Sequence, residues 1–244
     1  MTDHQAMQQE AGAVLELAAL HRDPVFYGRN VERGDRRPVL LVPGLFGNDL
    51  SLQSLRTWLT RIGYTPVRST LPVNAGCGKR LLETVARPLA RHVEAAGRPI
   101  AMIGHSRGGM LCWAMAARLQ DRVSHLVLLG SPAPAIVAAL RAGDVPVPAS
   151  IARKGVAAAG ARAVAWLDPD CEFPACGCEY VEALRRPLHP ATKVMSVASR
   201  QDPIVAPSAC RAPGAEHVEV DGTHSGLAHN RAVYPHLARF LATR

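Results

Sequence analysis

Short apolar runs alternate along the chain with longer segments whose apolar residues recur at three- and four-residue spacing, the pattern of strands separated by amphipathic helices. Pro38-Val39-Leu40-Leu41-Val42 has no polar position, as a strand covered on both faces requires. It runs into the sharp turn Pro43-Gly44-Leu45-Phe46-Gly47. Leu52, Leu55, Trp58, Leu59 and Ile62 then keep the helical period up to Gly63, with Asp49 or Ser51 as the expected cap. Residues 65–70 supply a second strand and residues 71–78 a loop containing Cys77. Leu81, Leu82, Val85, Leu89 and Val93 form the core face of the next helix, with a kink expected at Pro88, where a backbone donor is missing.

Residues 99–103 read as the third strand, 110–119 as a helix with Leu111, Met115 and Leu119 on one face, and 123–129 as the fourth strand. Two more strands follow at 193–198 and 217–220, and the last helix, capped by Asn230, carries Val233, Leu237, Phe240 and Leu241. Ahead of the first strand, residues 11–20 predict a short amphipathic helix on the outside of the sheet, followed by the polar connector 29–37. Such alternation implies right-handed crossovers and an α/β fold, a doubly wound, mostly parallel sheet with helices on both faces. Residues 131–167 break the pattern with alanine-rich, proline-punctuated sequence. Ligand sites in such sheets form at the carboxyl ends of the strands, so an insertion over 131–170 is placed to act as a lid; the alternative is an ordinary pair of packing helices.

Composition narrows the class. With 244 residues, 48% hydrophobic and 20% charged, the chain fits one α/β domain over residues 1–244, neither disordered nor membrane-embedded. The net charge of +8 favours acidic partners, but the basic residues are scattered and only 5% of positions are aromatic. Nucleic acid is therefore not an expected partner. Residues 1–10 lack a positively charged leader, Glu16 interrupts the apolar stretch 11–20, and no run reaches membrane-spanning length. A cytoplasmic protein without stable membrane insertion is the expectation, and its oligomeric state is open. Of six cysteines, Cys112 reads as a buried small hydrophobe. Cys171, Cys176 and Cys178, with Cys210, leave a disulfide, a zinc site and reduced thiols open, and their spacing matches no familiar zinc pattern. Neither a cofactor nor a metal is expected.

The candidate chemistry centres on Gly104-His105-Ser106-Arg107-Gly108, a G-x-S-x-G motif between a strand and a helix. A serine hydroxyl needs a base to take its proton and a carboxylate to orient that base. Asp202, in the loop after the strand 193–198, is the expected acid, with Asp221 as the alternative. His224, in the loop after the last strand, is the expected base. His217 and His229 read as surface or packing residues, and His105 as packing beneath the turn. The backbone N–H groups of Arg107 and of Leu45 or Phe46, Leu45 being preferred, are the expected donors to an oxyanion. Leu45, Phe46, Ile136, Val137 and Leu140 are apolar candidates for the substrate pocket and point to a small-molecule ester or lipid-like substrate.

From Pro38 to Leu241 the chain resembles α/β-hydrolase-fold serine hydrolases of the bacterial lipase and esterase type. Four motifs carry the resemblance: Val42-Pro43-Gly44-Leu45-Phe46-Gly47 is similar to the family's oxyanion loop, Gly104-His105-Ser106-Arg107-Gly108 to its elbow, Ser199 to Val205 to its acid loop, and His224-Ser225-Gly226-Leu227 to its histidine loop. The chain departs at Pro43, where many relatives have histidine, and at Arg107, which brings a cation beside the serine. The resemblance implies cofactor-independent ester hydrolysis through an acyl-enzyme. The same triad serves thioesterases, amidases and acyltransferases, and a catalytically silent fold that binds a ligand is the rival from another class.

Overall fold

Six strands form where the apolar runs predict them: β1 Pro38–Val42, β2 Thr65–Arg68, β3 Ile100–His105, β4 Val123–Leu129, β5 Lys193–Ser199 and β6 Glu216–Val220. In the computed structural model, which describes residues 12–134 and 178–243, they make one sheet in the order β2-β1-β3-β4-β5-β6, with every pairing parallel. The inner strands are buried on both faces, whereas the edge strand β6 buries only Val218 and Val220, so its polar and apolar residues alternate.

The described helices are α1 Gly12–Arg22, α2 Gln53–Arg61, α3 Gly78–Ala96, α4 Arg107–Leu119, α5 Glu179–Arg185 and α6 Val233–Ala242. Because successive strand residues point to opposite faces, the sheet feeds two cores. Val39, Leu41, Ala101 and Ile103 pack with the Trp58 and Leu237 side of the molecule, under α2 and α6. Leu40, Val42, Ile100 and Met102 pack with Leu82, Leu111 and Tyr180, under α3, α4 and α5. The chain leaves β1 toward β2 and then returns to place β3 on the other side of β1. The loops after β1 and β3 therefore diverge at a switch point, which is where such a sheet opens a crevice.

Several local expectations are corrected. Helix α1 buries only Leu20 and, instead of lying on the sheet, runs against the 3-10 turn Ser225–His229, with Val14 and Leu15 70% and 73% exposed. Asn48 caps the 3-10 turn Asp49–Leu52 that leads into α2, its Oδ1 accepting from Leu50 N at 3.0 Å, and Leu52 takes the cap position of α2 itself. Asp49 is drawn away by the amides of Ser69 and Thr70 and the Ser69 hydroxyl. Asn230 does not cap α6: its Oδ1 accepts from Ala232 N, its Nδ2 donates to the carbonyl of Asp221, and the cap position falls to Ala232. Helix α4 starts at Arg107, ahead of its first apolar residue, because Gly108 and Gly109 carry no hydrophobic signal. Helix α5, seven residues long, is too short to show a period in sequence and packs on α4. Of the lid expected at 131–170, residues 135–170 lie outside the described residues.

At the opposite end of the sheet, Arg37 Nη1 donates to His125 Nδ1 at 2.6 Å. The guanidinium can only donate, so the His125 proton sits on Nε2, which donates to Thr243 Oγ1 at 3.0 Å. Burial, and then the Arg37 charge, lowers the His125 pKa to about 4. The unfolded chain takes up this proton near pH 6.5, so below that value it binds more protons than the folded state. Stability is expected to fall from about pH 6.5 to about pH 4, read as a decreasing urea midpoint. His125→Gln should flatten that fall.

Candidate active site

Ser106 stands between β3 and α4 with φ 52° and ψ −123°, a left-handed backbone that costs about 1–3 kcal/mol and persists only where surrounding contacts enforce it. Its N–H donates to the carbonyl of Leu129 at 2.7 Å, and its own carbonyl accepts from Gly109 N at 3.0 Å and from the Ser131 hydroxyl at 2.7 Å. The two motif glycines are sterically required. A Cβ on Gly104 would overlap the backbone of Gly108 and Gly109, and one on Gly108 would overlap the carbonyl oxygens of Val42 and Pro43.

Two loops bring the other groups to the same end of the sheet. His224 follows β6, and its Nδ1 lies 2.6 Å from Asp202 Oδ2, with the two side chains 5% and 1% exposed. Asp202 follows β5, and its Oδ1 accepts from the amides of Ile204 and Val205 at 2.7 and 2.8 Å, which orients the carboxylate. A carboxylate accepting from Nδ1 selects the tautomer in which Nε2 is the acceptor. Ser106 and His224 line one cavity of about 510 Å³. Asp221, the alternative acid, is elsewhere: it is exposed and pairs with Arg200 through both oxygens, at 2.9 and 2.7 Å, and this bonding lowers its pKa.

The other histidines separate clearly. His217 is exposed on β6. His229 is not a surface group: it is half-buried, lines the cavity, and its pKa is lowered by burial. His105 packs beneath the turn, with its ring centroid 4.9 Å from that of His224 and its Nε2 donating to the His224 carbonyl at 2.9 Å. Burial, followed by the neighbouring His224, lowers the His105 pKa to about 3, so this ring stays neutral and supports the loop. The glycine at position 44 follows from it, since a Cβ there would come 2.7 Å from His105 Nδ1.

The loop after β1 is shaped by Asn74, a residue sequence reasoning passed over. Fully buried, Asn74 donates from Nδ2 to the Pro43 carbonyl at 2.6 Å and from its N–H to Gly47 at 2.8 Å, and its carbonyl accepts from Phe46 N at 3.0 Å. Phe46 N is thereby occupied, whereas Leu45 N has no partner among the described residues. The Arg107 amide lies at the first position of α4, where the helix dipole favours negative charge. The Arg107 guanidinium donates to the carbonyl of Gly76 at 2.5 Å, tying the Asn74 loop to the elbow. The Phe46 side chain lines the cavity and is half exposed; Ile136, Val137 and Leu140 lie outside the described residues.

Cys112 is buried in α4 as expected, and Cys210 is a free buried thiol whose pKa burial pushes up to about 12. Cys178 precedes α5, and Cys171 and Cys176 lie outside the described residues.

A family profile described as alpha/beta hydrolase fold matches residues 82–153. The mature lipase of Bacillus licheniformis superimposes with a TM-score of 0.57 at 14% identity, over 88% of this chain and 97% of that one. The protein has the α/β-hydrolase fold. Other proteins of similar structure are the monoacylglycerol lipase of Paleococcus ferrophilus, with a TM-score of 0.53, 16% identity and 86% and 97% coverage. A soluble variant of the monoglyceride lipase of Saccharomyces cerevisiae gives 0.52, 17%, and 88% of each chain. No curated protein matches the sequence. At these identities the likeness is one of α/β-hydrolase fold, and the chemistry must be argued from the site.

Proposed function

We propose that the protein is a serine hydrolase that cleaves carboxylic esters, with Ser106 as nucleophile, His224 as base and Asp202 as the acid that orients it. The supporting observation is the 2.6 Å contact between His224 Nδ1 and a buried, backbone-oriented Asp202, with His224 and Ser106 in one cavity. In the reaction, Ser106 Oγ bonds to the ester carbonyl carbon as its proton passes to His224 Nε2. The carbonyl oxygen becomes an anion in reach of the N–H groups of Leu45 and Arg107, donors that need no reorganisation. Collapse breaks the bond to the alcohol, which leaves with the proton from His224. Water, deprotonated by His224, then attacks the acyl group, and the acid departs as Ser106 regains its proton. Water is the only co-reactant in this sequence.

An acyl substrate is favoured by the apolar wall of the cavity, which includes Leu45, Phe46, Leu52 and Ile204, and by the lipase names of similarly folded proteins. Incubation with a fluorophosphonate, followed by peptide mass spectrometry, should place the adduct on Ser106. p-Nitrophenyl esters from acetate to palmitate, assayed in parallel, should be hydrolysed with a rate that varies with chain length. An unmodified Ser106 together with no turnover of any of these esters would overturn the reading.

A further inference from the structure

We propose that Glu16, on the N-terminal helix α1, is a positioning residue for the loop that carries His224; the proposal rests on the function assigned above. Glu16 Oε1 accepts from the N–H of Thr223, the residue before His224, at 2.7 Å. The carboxylate occupies a notch that the loop keeps open with two glycines. A Cβ on Gly222, at φ 145°, would come 2.7 Å from Glu16 Oε2, and one on Gly226 would overlap the Glu16 carboxyl carbon and both its oxygens. Thr223 in turn closes the loop by accepting from Gly226 N at 2.9 Å through its hydroxyl. His224 is thus bracketed by residues whose geometry depends on a group some two hundred positions away in sequence.

Ordinary helix docking does not account for this. A surface helix is usually held by an apolar stripe, yet α1 buries only Leu20 and exposes Val14 and Leu15. What it inserts into its neighbour is a carboxylate, and Glu16 Oε2 is buried with no hydrogen-bond partner among the described residues. Such an atom costs stability, so the contact is a poor fastener for its own sake. It makes sense as a key that fixes the loop's shape. The same helix brings Ala13 to the wall of the cavity, beside His224 and Ser106. Misplacing a general base by a fraction of an ångström to one ångström lowers the chemical step while leaving ground-state binding nearly intact.

Glu16→Ala is therefore expected to lower kcat for p-nitrophenyl butyrate by roughly tenfold to a hundredfold with KM changed by less than about twofold. Glu16→Gln, which keeps the acceptor for Thr223 N, should recover most of the loss. Gly226→Ala should mimic Glu16→Ala, because its Cβ takes the carboxylate's place, and in the Glu16→Ala background it should add less than about threefold. Each variant is checked for wild-type circular dichroism, and amide exchange is followed over residues 222–226. A folded Glu16→Ala with wild-type kcat, losses from Glu16→Ala and Gly226→Ala that multiply, or unchanged exchange protection would each overturn the proposal. Exchange distinguishes the two readings: faster exchange in Glu16→Ala supports the keying of the loop even if the wild-type protein hydrolyses no ester, in which case the assigned reaction fails and the positioning stands.

Discussion

Ser106→Ala is expected to lower kcat for p-nitrophenyl butyrate by roughly 10⁴- to 10⁶-fold and to abolish fluorophosphonate labelling. The hydroxyl oxygen is the only protein atom that the proposed reaction bonds to carbon, so its loss removes the acyl-enzyme route altogether. What survives is the preorganised surroundings, the Leu45 and Arg107 amides and the His224–Asp202 pair, which can still favour attack by water and leave a residual rate above that in solution. The fold should be nearly unaffected. Alanine at φ 52° suffers no more strain than serine, and the enforcing contacts at Gly104, Gly108 and Leu129 are to backbone atoms. Thermal unfolding should therefore match the wild type within about 0.5 kcal/mol, a value typical of a change that disturbs no packing or network. A variant that keeps more than about a tenth of wild-type turnover would mean that Ser106 is not the nucleophile.

How much of this was readable in sequence depended on how local the determining forces are. Strands β1, β3 and β4 were legible because burial on both faces leaves each with an uninterrupted apolar run, at residues 38–42, 100–103 and 126–129. That Ser106, Asp202 and His224 meet at one end of the sheet was legible because each follows a strand of a parallel sheet, an arrangement that topology enforces; the roles given to them are those of the proposed reaction. Helix caps were misread for a long-range reason: Asp49 has the chemistry of a cap, but Ser69 and Thr70, twenty residues on, compete for its carboxylate and Asn48 takes its place. Asn74 and Glu16 were invisible. Each acts across the fold, on Pro43 31 residues away and on Thr223 207 residues away, and neither belongs to a motif. The Arg107 side chain had no assigned role in sequence, and in the structure it donates to the Gly76 carbonyl, 31 residues away.

The choice between the two aspartates can be decided by a matched pair of substitutions, and the geometry fixes what each should do. In Asp202→Asn the amides of Ile204 and Val205 still point at the position of Oδ1, so the asparagine carbonyl must stay there to accept from them. Its NH₂ group then occupies the site of Oδ2, 2.6 Å from His224 Nδ1. A donor facing a donor is untenable, so the imidazole moves its proton from Nδ1 to Nε2 and accepts from the asparagine instead. The base now presents N–H where the Ser106 proton must go. The expected loss in kcat is roughly 10³- to 10⁴-fold, with KM little changed, because ground-state binding does not use the tautomer. Asp221→Asn removes an exposed, solvent-screened pair with Arg200 and should leave kcat within about twofold. Steady-state kinetics of the two variants with one ester give the answer directly. A larger loss from Asp221→Asn than from Asp202→Asn would transfer the orienting role to Asp221 and require the loop after β6 to rearrange in solution, since Asp221 is committed to Arg200 and His224 to Asp202.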